Sequence, residues 1–343
     1  MRNVQERRMR VLKLVIKEYI ATAKPVPSQA IVEKYNLGVS PATVRNDMMA
    51  LEREGYLYHL HTSGGRVPTE KGYRFFVENL MEETNLPVAQ RRMIQHQFYQ
   101  SPMEISQWAQ LAAAVLARST NCAGMATMPV VPRSRFKHLE LIGVKETSVL
   151  LVLVLDGGMV RQRLLTLDSP MKQEELSAVS AKLNDLFHDL TTQEIGRRLR
   201  GLSPFTEQIG RIVHQIMRKS EGSISDQIYY EGLANILTAP EFQHGDKARQ
   251  VVAILEEGEF LPFLTRPEEI GSVQVLIGGE GSLRGLRDIS MVLAYYGVPR
   301  HAVGLVGLVG PVRMAYAYNV SLVQYVAGLM TQLMQNLYNG ESQ

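Results

Sequence analysis

Cysteine is nearly absent. Cys122 is the only one in 343 residues, so no disulfide forms within the chain and a cysteine zinc cluster is excluded. Its neighbours in Asn121-Cys122-Ala123-Gly124-Met125 are small and apolar, which suits a buried, inert thiol better than a reactive one. Long hydrophobic runs are missing as well: no stretch approaches the roughly 20 uninterrupted apolar residues of a membrane helix. The N-terminus is basic, but Lys13, Lys17 and Glu18 interrupt its apolar part and no small-residue cleavage site follows. It reads as a folded helix and not a signal peptide, and a cytoplasmic location is expected.

Catalytic patterns are also lacking. There is no G-x-S-x-G, no H-E-x-x-H and no P-loop. The eight histidines are scattered, with only His59 and His61 on one strand face, so neither a metal nor another cofactor is expected. The pairs Glu174-Glu175, Glu256-Glu257 and Glu268-Glu269 fall at helix ends, where carboxylates are solvated. Gly279 to Gly285 is one residue too long for G-x-G-x-x-G and lacks the βαβ context, so it reads as a turn. No enzyme site is expected.

What is present is concentrated near the start of the chain. Net charge is only +3, yet residues 1–80 hold 13 Lys and Arg against 8 Asp and Glu. That places cations where a polyanion would dock. Within this segment, SPATVRNDMMALEREGYLYHLHTSGGR runs from Ser40 to Arg66. Ser40 followed by Pro41 is a helix start. Val44, Met48 and Leu51 recur on one stripe, whereas Ala42, Asn46, Met49 and Arg53 point the opposite way, with Thr43 and Arg45 on the flanks. Gly55 ends the helix, and Tyr56–His61 and Arg66–Pro68 read as two short strands around Thr62-Ser63-Gly64-Gly65.

A preceding helix, Ser28 to about Tyr35, and the turn Asn36-Leu37-Gly38-Val39 complete the outline of a winged helix-turn-helix. Ser40, Ala42, Thr43 and Asn46 would let the second helix approach base edges closely. Arg45 and Asn46 suit guanine and adenine, and Arg66 is expected at the wing tip against a phosphate or the minor groove.

The remaining chain suggests an α+β protein with a linker over 81–104 and a domain begun at 105–170, interrupted by a mostly helical insertion at 171–267, and finished at 268–343. The strands Leu139–Val144, Val149–Leu155 and Met159–Leu167 form an antiparallel meander, and strands return at Val273–Ile277, Met291–Tyr296 and Gly304–Val309. Between them Gln173–Leu190, Thr192–Leu199, Phe205–Arg218, Asp226–Leu237 and Lys247–Glu257 read as helices, and Tyr316–Leu337 as a last one.

ATVRNDMMALEREGYL, followed by HTSGGRVPTEKGYRFFV and later by YYEGLANIL, PEF, IGGE and GPVRMAY, resembles the heat-inducible transcription repressor HrcA family over essentially the whole chain. Leu60 and Gly64 depart from the family's usual Pro and Ala. The resemblance implies a winged-helix DNA-binding domain (1–80), a GAF-like domain and a dimerising segment inserted into it. It implies a homodimer that represses chaperone operons from an inverted-repeat operator called CIRCE, with activity dependent on the GroE chaperonin. It also places His61, Thr62 and Ser63 in the DNA-contacting wing, beside Ser40, Ala42, Thr43, Arg45, Asn46 and Arg66. The alternative is a winged-helix regulator gated by a small metabolite in the GAF-like domain, motivated by the glycine-rich strands and turns of 271–311.

Overall fold

The computed structural model describes residues 2–59, 65–82, 84–102, 104–130, 135–156, 160–220, 228–242, 249, 252–253, 255, 270–278, 287–299 and 302–340. Helix α1 (Arg2–Thr22) buries Val11, Leu12, Val15 and Ile16, two adjacent pairs one turn apart that make a single stripe. Helices α2 (Ser28–Lys34) and α3 (Pro41–Arg53) pack on it and on each other. The turn between them uses Gly38 at φ +66°, and the chain leaves α3 through Gly55 at φ +80°, both in the left-handed region where a side chain would be strained.

Strands β1 (Leu57–Tyr58) and β2 (Val67–Pro68) then pair antiparallel, Leu57 opposite Pro68 and Tyr58 opposite Val67. Thr69 Oγ1 accepts from Gly72 N at 3.0 Å and caps α4 (Glu70–Phe75). The helix then widens into a π turn over Phe76–Leu80. Two compact units account for the chain, one comprising Met1–Met128, Gln227–Tyr296 and Leu305–Gln343, the other Pro129–Asp226 and Gly297–Gly304.

In the first unit, α5 (Val88–Gln100) and α6 (Ile105–Ser119) lead to a five-stranded sheet, most of whose residues belong to this unit. Its strands are β3 (Ala123–Thr127), β7 (Ile228–Glu231), β8 (Val273–Ile277), β9 (Ile289–Val298) and β10 (Ala302–Pro311), in the order β7-β3-β10-β9-β8. Every residue of β10 is buried, as is nearly every one of β9. Helix α6 lies against β3 and β7, and the last helix, α11 (Tyr316–Gly340), packs on α6.

Residues 228–231 correct a sequence expectation. They read as part of a helix over Asp226–Leu237, but they form an edge strand with Met125 opposite Tyr230, and only α10 (Leu233–Leu237) is helical. The Ile-Tyr-Tyr run favours a strand, and pairing with β3 outweighs the helical pattern. The N-terminal helices are fixed to this sheet: Arg74 Nη2 donates to Val275 O of β8 at 2.7 Å, and the Tyr73 and Tyr316 rings lie 5.9 Å apart.

In the second unit, β4 (Phe136–Lys145), β5 (Ser148–Leu155) and β6 (Val160–Thr166) form a separate three-stranded antiparallel sheet. Leu139, Leu141, Leu151 and Leu153 bury against Leu176, Leu183 and Phe187 of α7 (Gln173–Phe187) and against α8 (Thr192–Arg198) and α9 (Pro204–Ser220). The meander was expected in one sheet with the C-terminal strands, with the break near 170. The contacts instead divide at 129, because both edges of β3 are taken by β7 and β10 while the inner face of β4–β6 is covered by the helix that follows it.

The opposite face of β4–β6 alternates apolar and polar rows, with Glu140, Val152 and Gln162 side by side across its middle. Ile142, Leu150 and Leu164 form one cross-strand row, and Val154 and Val160 pair in another. Leu164 is 63% exposed.

Candidate nucleic-acid interface

Helix α3 is built to show one side. Val44, Met48 and Leu51 are buried in the α1–α2 packing, whereas Ala42, Arg45 and Asn46 are exposed together with Met49 and Arg53. These five recur at steps of three and four residues, so they lie on one stripe of the cylinder. Ser40, exposed at the start, accepts from Thr43 N at 3.3 Å, and its Oγ lies 3.1 Å from the Thr43 hydroxyl. Both hydroxyls therefore already serve the helix cap, and Thr43 is half-buried.

The hairpin after α3 is held by a contact that sequence spacing does not show. Arg66 was expected at a wing tip, facing a phosphate. It sits instead at the wing base, its side chain 14% exposed and its Nη2 2.9 Å from Glu52 Oε2 of α3. The other oxygen of the same carboxylate is 2.5 Å from His59 Nδ1. Burial raises the Glu52 carboxyl, but His59 and Arg66 together outweigh it and hold the group below its usual range. The backbone of Arg66 also exchanges two 2.9 Å hydrogen bonds with Val26. A Cβ on Gly65 would lie within 2.8 Å of the Pro25 backbone, so this corner accepts only glycine without shifting. His61, Thr62 and Ser63 lie outside the described residues.

Part of the positive charge read from the sequence is internal. Asp47, buried on α3, is met by Arg7 Nε at 2.7 Å and Nη2 at 3.1 Å, with Arg8 Nε at 3.6 Å. These pairs tie α1 to α3 over 40 residues of sequence, and neither Asp47 nor its partners stood out in the pattern. Lys13 reaches Glu82 at 2.5 Å and Lys34 reaches Glu18 at 2.7 Å. Among the described residues of this segment, Arg10, Lys24, Arg45, Arg53 and Lys71 are also exposed, Lys71 donating to the Glu54 carbonyl at 2.8 Å.

Elsewhere, a cavity of about 490 Å³ is lined by Arg118, Cys122, Asn235, Tyr318 and Asn319. Burial pushes the Cys122 thiol up to about 11. Among the described residues no three His, Cys, Asp or Glu gather to hold a metal ion, and no helix is long and apolar enough to cross a membrane.

Comparison with known proteins adds independent information. A family model described as the HrcA protein C-terminal domain matches residues 106–320. A heat-inducible transcription repressor HrcA of Herpetosiphon aurantiacus is 47% identical over 344 residues, covering 98% of this chain and 96% of that protein. One from Roseiflexus sp. is 44% identical over 348 residues, covering 99% and 97%. A crystal structure described only as a hypothetical protein is similar in fold, with a TM-score of 0.60, 24% identity, and coverage of 96% of this chain and 98% of that one.

Proposed function

The chain belongs to the heat-inducible transcription repressor HrcA family, and from that premise we propose that it acts as a homodimer on the inverted-repeat CIRCE operator of chaperone operons. The observation that carries the DNA-reading part is the exposed stripe Ala42, Arg45, Asn46 and Arg53 on α3, backed by buried Val44, Met48 and Leu51. Small residues at the start of the helix permit close approach to the major groove, and Arg45 and Asn46 carry the donors and acceptors that distinguish base pairs. The wing base positions the helix, through Glu52, Arg66 and His59.

An inverted repeat needs two copies of this helix, and one chain supplies one. The apolar row Ile142, Leu150 and Leu164 on the outer face of β4–β6 supports a second copy as its occupant. That row is apolar in all three strands and so can meet its own copy, as a two-fold interface requires, with Glu140, Gln162 and His138 in the rows beside it.

Dependence on the GroE chaperonin completes the reading. A repressor of marginal stability loses its active fraction when assistance is withdrawn, because a few kcal/mol shifts a two-state population strongly. The test is a binding titration on a chaperone-operon promoter fragment with and without chaperonin. The reading predicts preference for the inverted repeat and a higher active fraction with chaperonin present. Equal binding to scrambled DNA would contradict it.

A further inference from the structure

The exposed stripe of α3 contains one side chain that neither charge nor hydrogen bonding explains. Met49 is 45% exposed. Exposed apolar side chains are ordinary on protein surfaces, so exposure alone assigns nothing. Position does. Over residues 1–80, the other large apolar side chains this exposed among the described residues are Val4, at the start of α1, and Tyr58, on the wing. Met49 alone stands on the helix face that carries Arg45 and Asn46, following them by four and three residues. It therefore projects from the same side, about 4.5 Å further along the axis than Asn46. Arg53 lies one turn beyond, its Nε 3.4 Å from the Met49 carbonyl oxygen.

An apolar group set between two guanidinium-bearing positions is poorly suited to a phosphate, which offers only charge and acceptors. In the major groove the apolar feature of base edges is the thymine C5-methyl group. The thioether side chain is unbranched and polarizable, so it adapts to a methyl presented at the groove floor. A separation of about 4.5 Å along the helix is close to the spacing of about 3.4 Å between successive nucleotides of a strand.

Resting on the DNA-reading role given above, we propose that Met49 is a specificity-determining residue that reads a thymine methyl group in each half-site, about one base step from the pair read by Asn46. The contact is apolar, so it adds to sequence preference and leaves the salt dependence of binding unchanged. Met49 thereby extends the reading surface two turns into α3.

The experiment uses the full chain and inverted-repeat operator duplexes in which each thymine, and its symmetry mate, is replaced in turn by deoxyuridine, which removes only the methyl group. Wild-type protein is expected to lose about fourfold per half-site at one symmetric position, the worth of one buried methyl group. Met49→Ala is expected to bind the thymine duplex more weakly, to be indifferent to uridine at that position, and to keep the wild-type salt slope. Met49→Leu, which keeps an apolar side chain, is expected to retain part of the discrimination. Wild-type indifference to every uridine substitution would overturn the proposal, and so would a Met49→Ala protein with the wild-type pattern of uridine sensitivity. If wild-type protein fails to distinguish the operator from a scrambled duplex, the repressor reading falls and this assignment falls with it.

Discussion

Glu52 of α3 and Arg66 of the wing face each other at 2.9 Å, with His59 on the other oxygen of the same carboxylate. Glu52 thus ties the helix to the hairpin base, beside the 2.7 Å bond from Thr69 Oγ1 to Gly55 O and the 2.8 Å bond from Lys71 Nζ to Glu54 O. We expect Glu52→Gln to leave the helix folded and to weaken operator binding through a loosened wing. Arg66→Ala is expected to do the same. Neither change should alter the salt slope, because Arg66 is engaged with Glu52 and is not free to release counterions. Mobility-shift titrations at several salt concentrations measure this, and a flattened slope for Arg66→Ala would restore the direct phosphate contact expected from the sequence.

The same carboxylate sets a pH dependence. Its folded-state pKa lies below the ordinary 4.5. The stability it contributes is therefore present in full above the unfolded value and is lost as pH falls through the lower folded value. Thermal unfolding should show no Glu52 contribution to pH dependence between about pH 6 and 8. The difference in stability between wild type and Glu52→Gln should shrink below the ordinary carboxylate range. A difference that grows toward acid would contradict the assignment.

Arg45→Ala and Asn46→Ala should each lose operator discrimination while remaining folded, since both side chains are exposed and their removal disturbs no packing. A bidentate base contact is worth about 1–3 kcal/mol of discrimination, or about 5- to 150-fold. Comparing titrations on operator and scrambled duplexes isolates that loss. Equal weakening on both duplexes would assign the two residues to the backbone instead.

Leu164→Asp places a charge in the apolar row of the β4–β6 outer face, where the wild-type side chain is 63% exposed and has nothing to lose within its own unit. The variant is expected to remain folded by circular dichroism, to sediment as a monomer, and to bind the operator at least about tenfold more weakly at nanomolar protein, because the two half-sites are then engaged separately. A Leu164→Asp protein that sediments with the wild type would remove this face from the dimer.

Cys122 tests the core of the first unit. With its thiol pushed up to about 11 by burial, it is protonated throughout the neutral range and shielded from solvent. Reaction with a disulfide reagent at pH 8 should be far slower in the native protein than in denaturant, where the thiol returns to about 8.5. Equal rates would show that the segment opens readily.

The sequence made some of this legible and hid the rest for physical reasons. Ser40, Pro41 and Gly55 bracketed α3 because caps and left-handed glycines are local signals, and the 44–48–51 stripe fixed its buried face because helical periodicity is local too. Glu52–Arg66 and Arg7–Asp47 were not legible, since ion pairs 14 and 40 residues apart leave no periodic trace. Strand β7 was hidden under a helical pattern that pairing with β3 overrides. The separation of β4–β6 from the larger sheet was set by which edges β3 had already given away, a property of topology and not of any one segment.

The central claim is that the exposed stripe of α3 reads an inverted repeat from a two-fold pair of chains. It is tested most directly by titrating wild-type protein and the Arg45→Ala/Asn46→Ala double variant against a palindromic chaperone-operon duplex and a scrambled one at fixed salt. The account predicts two chains per operator, wild-type preference of at least about 10³-fold for the operator, and near-equal binding of both duplexes by the variant. Wild-type protein that binds the two duplexes equally, or a double variant that keeps the preference, would contradict it.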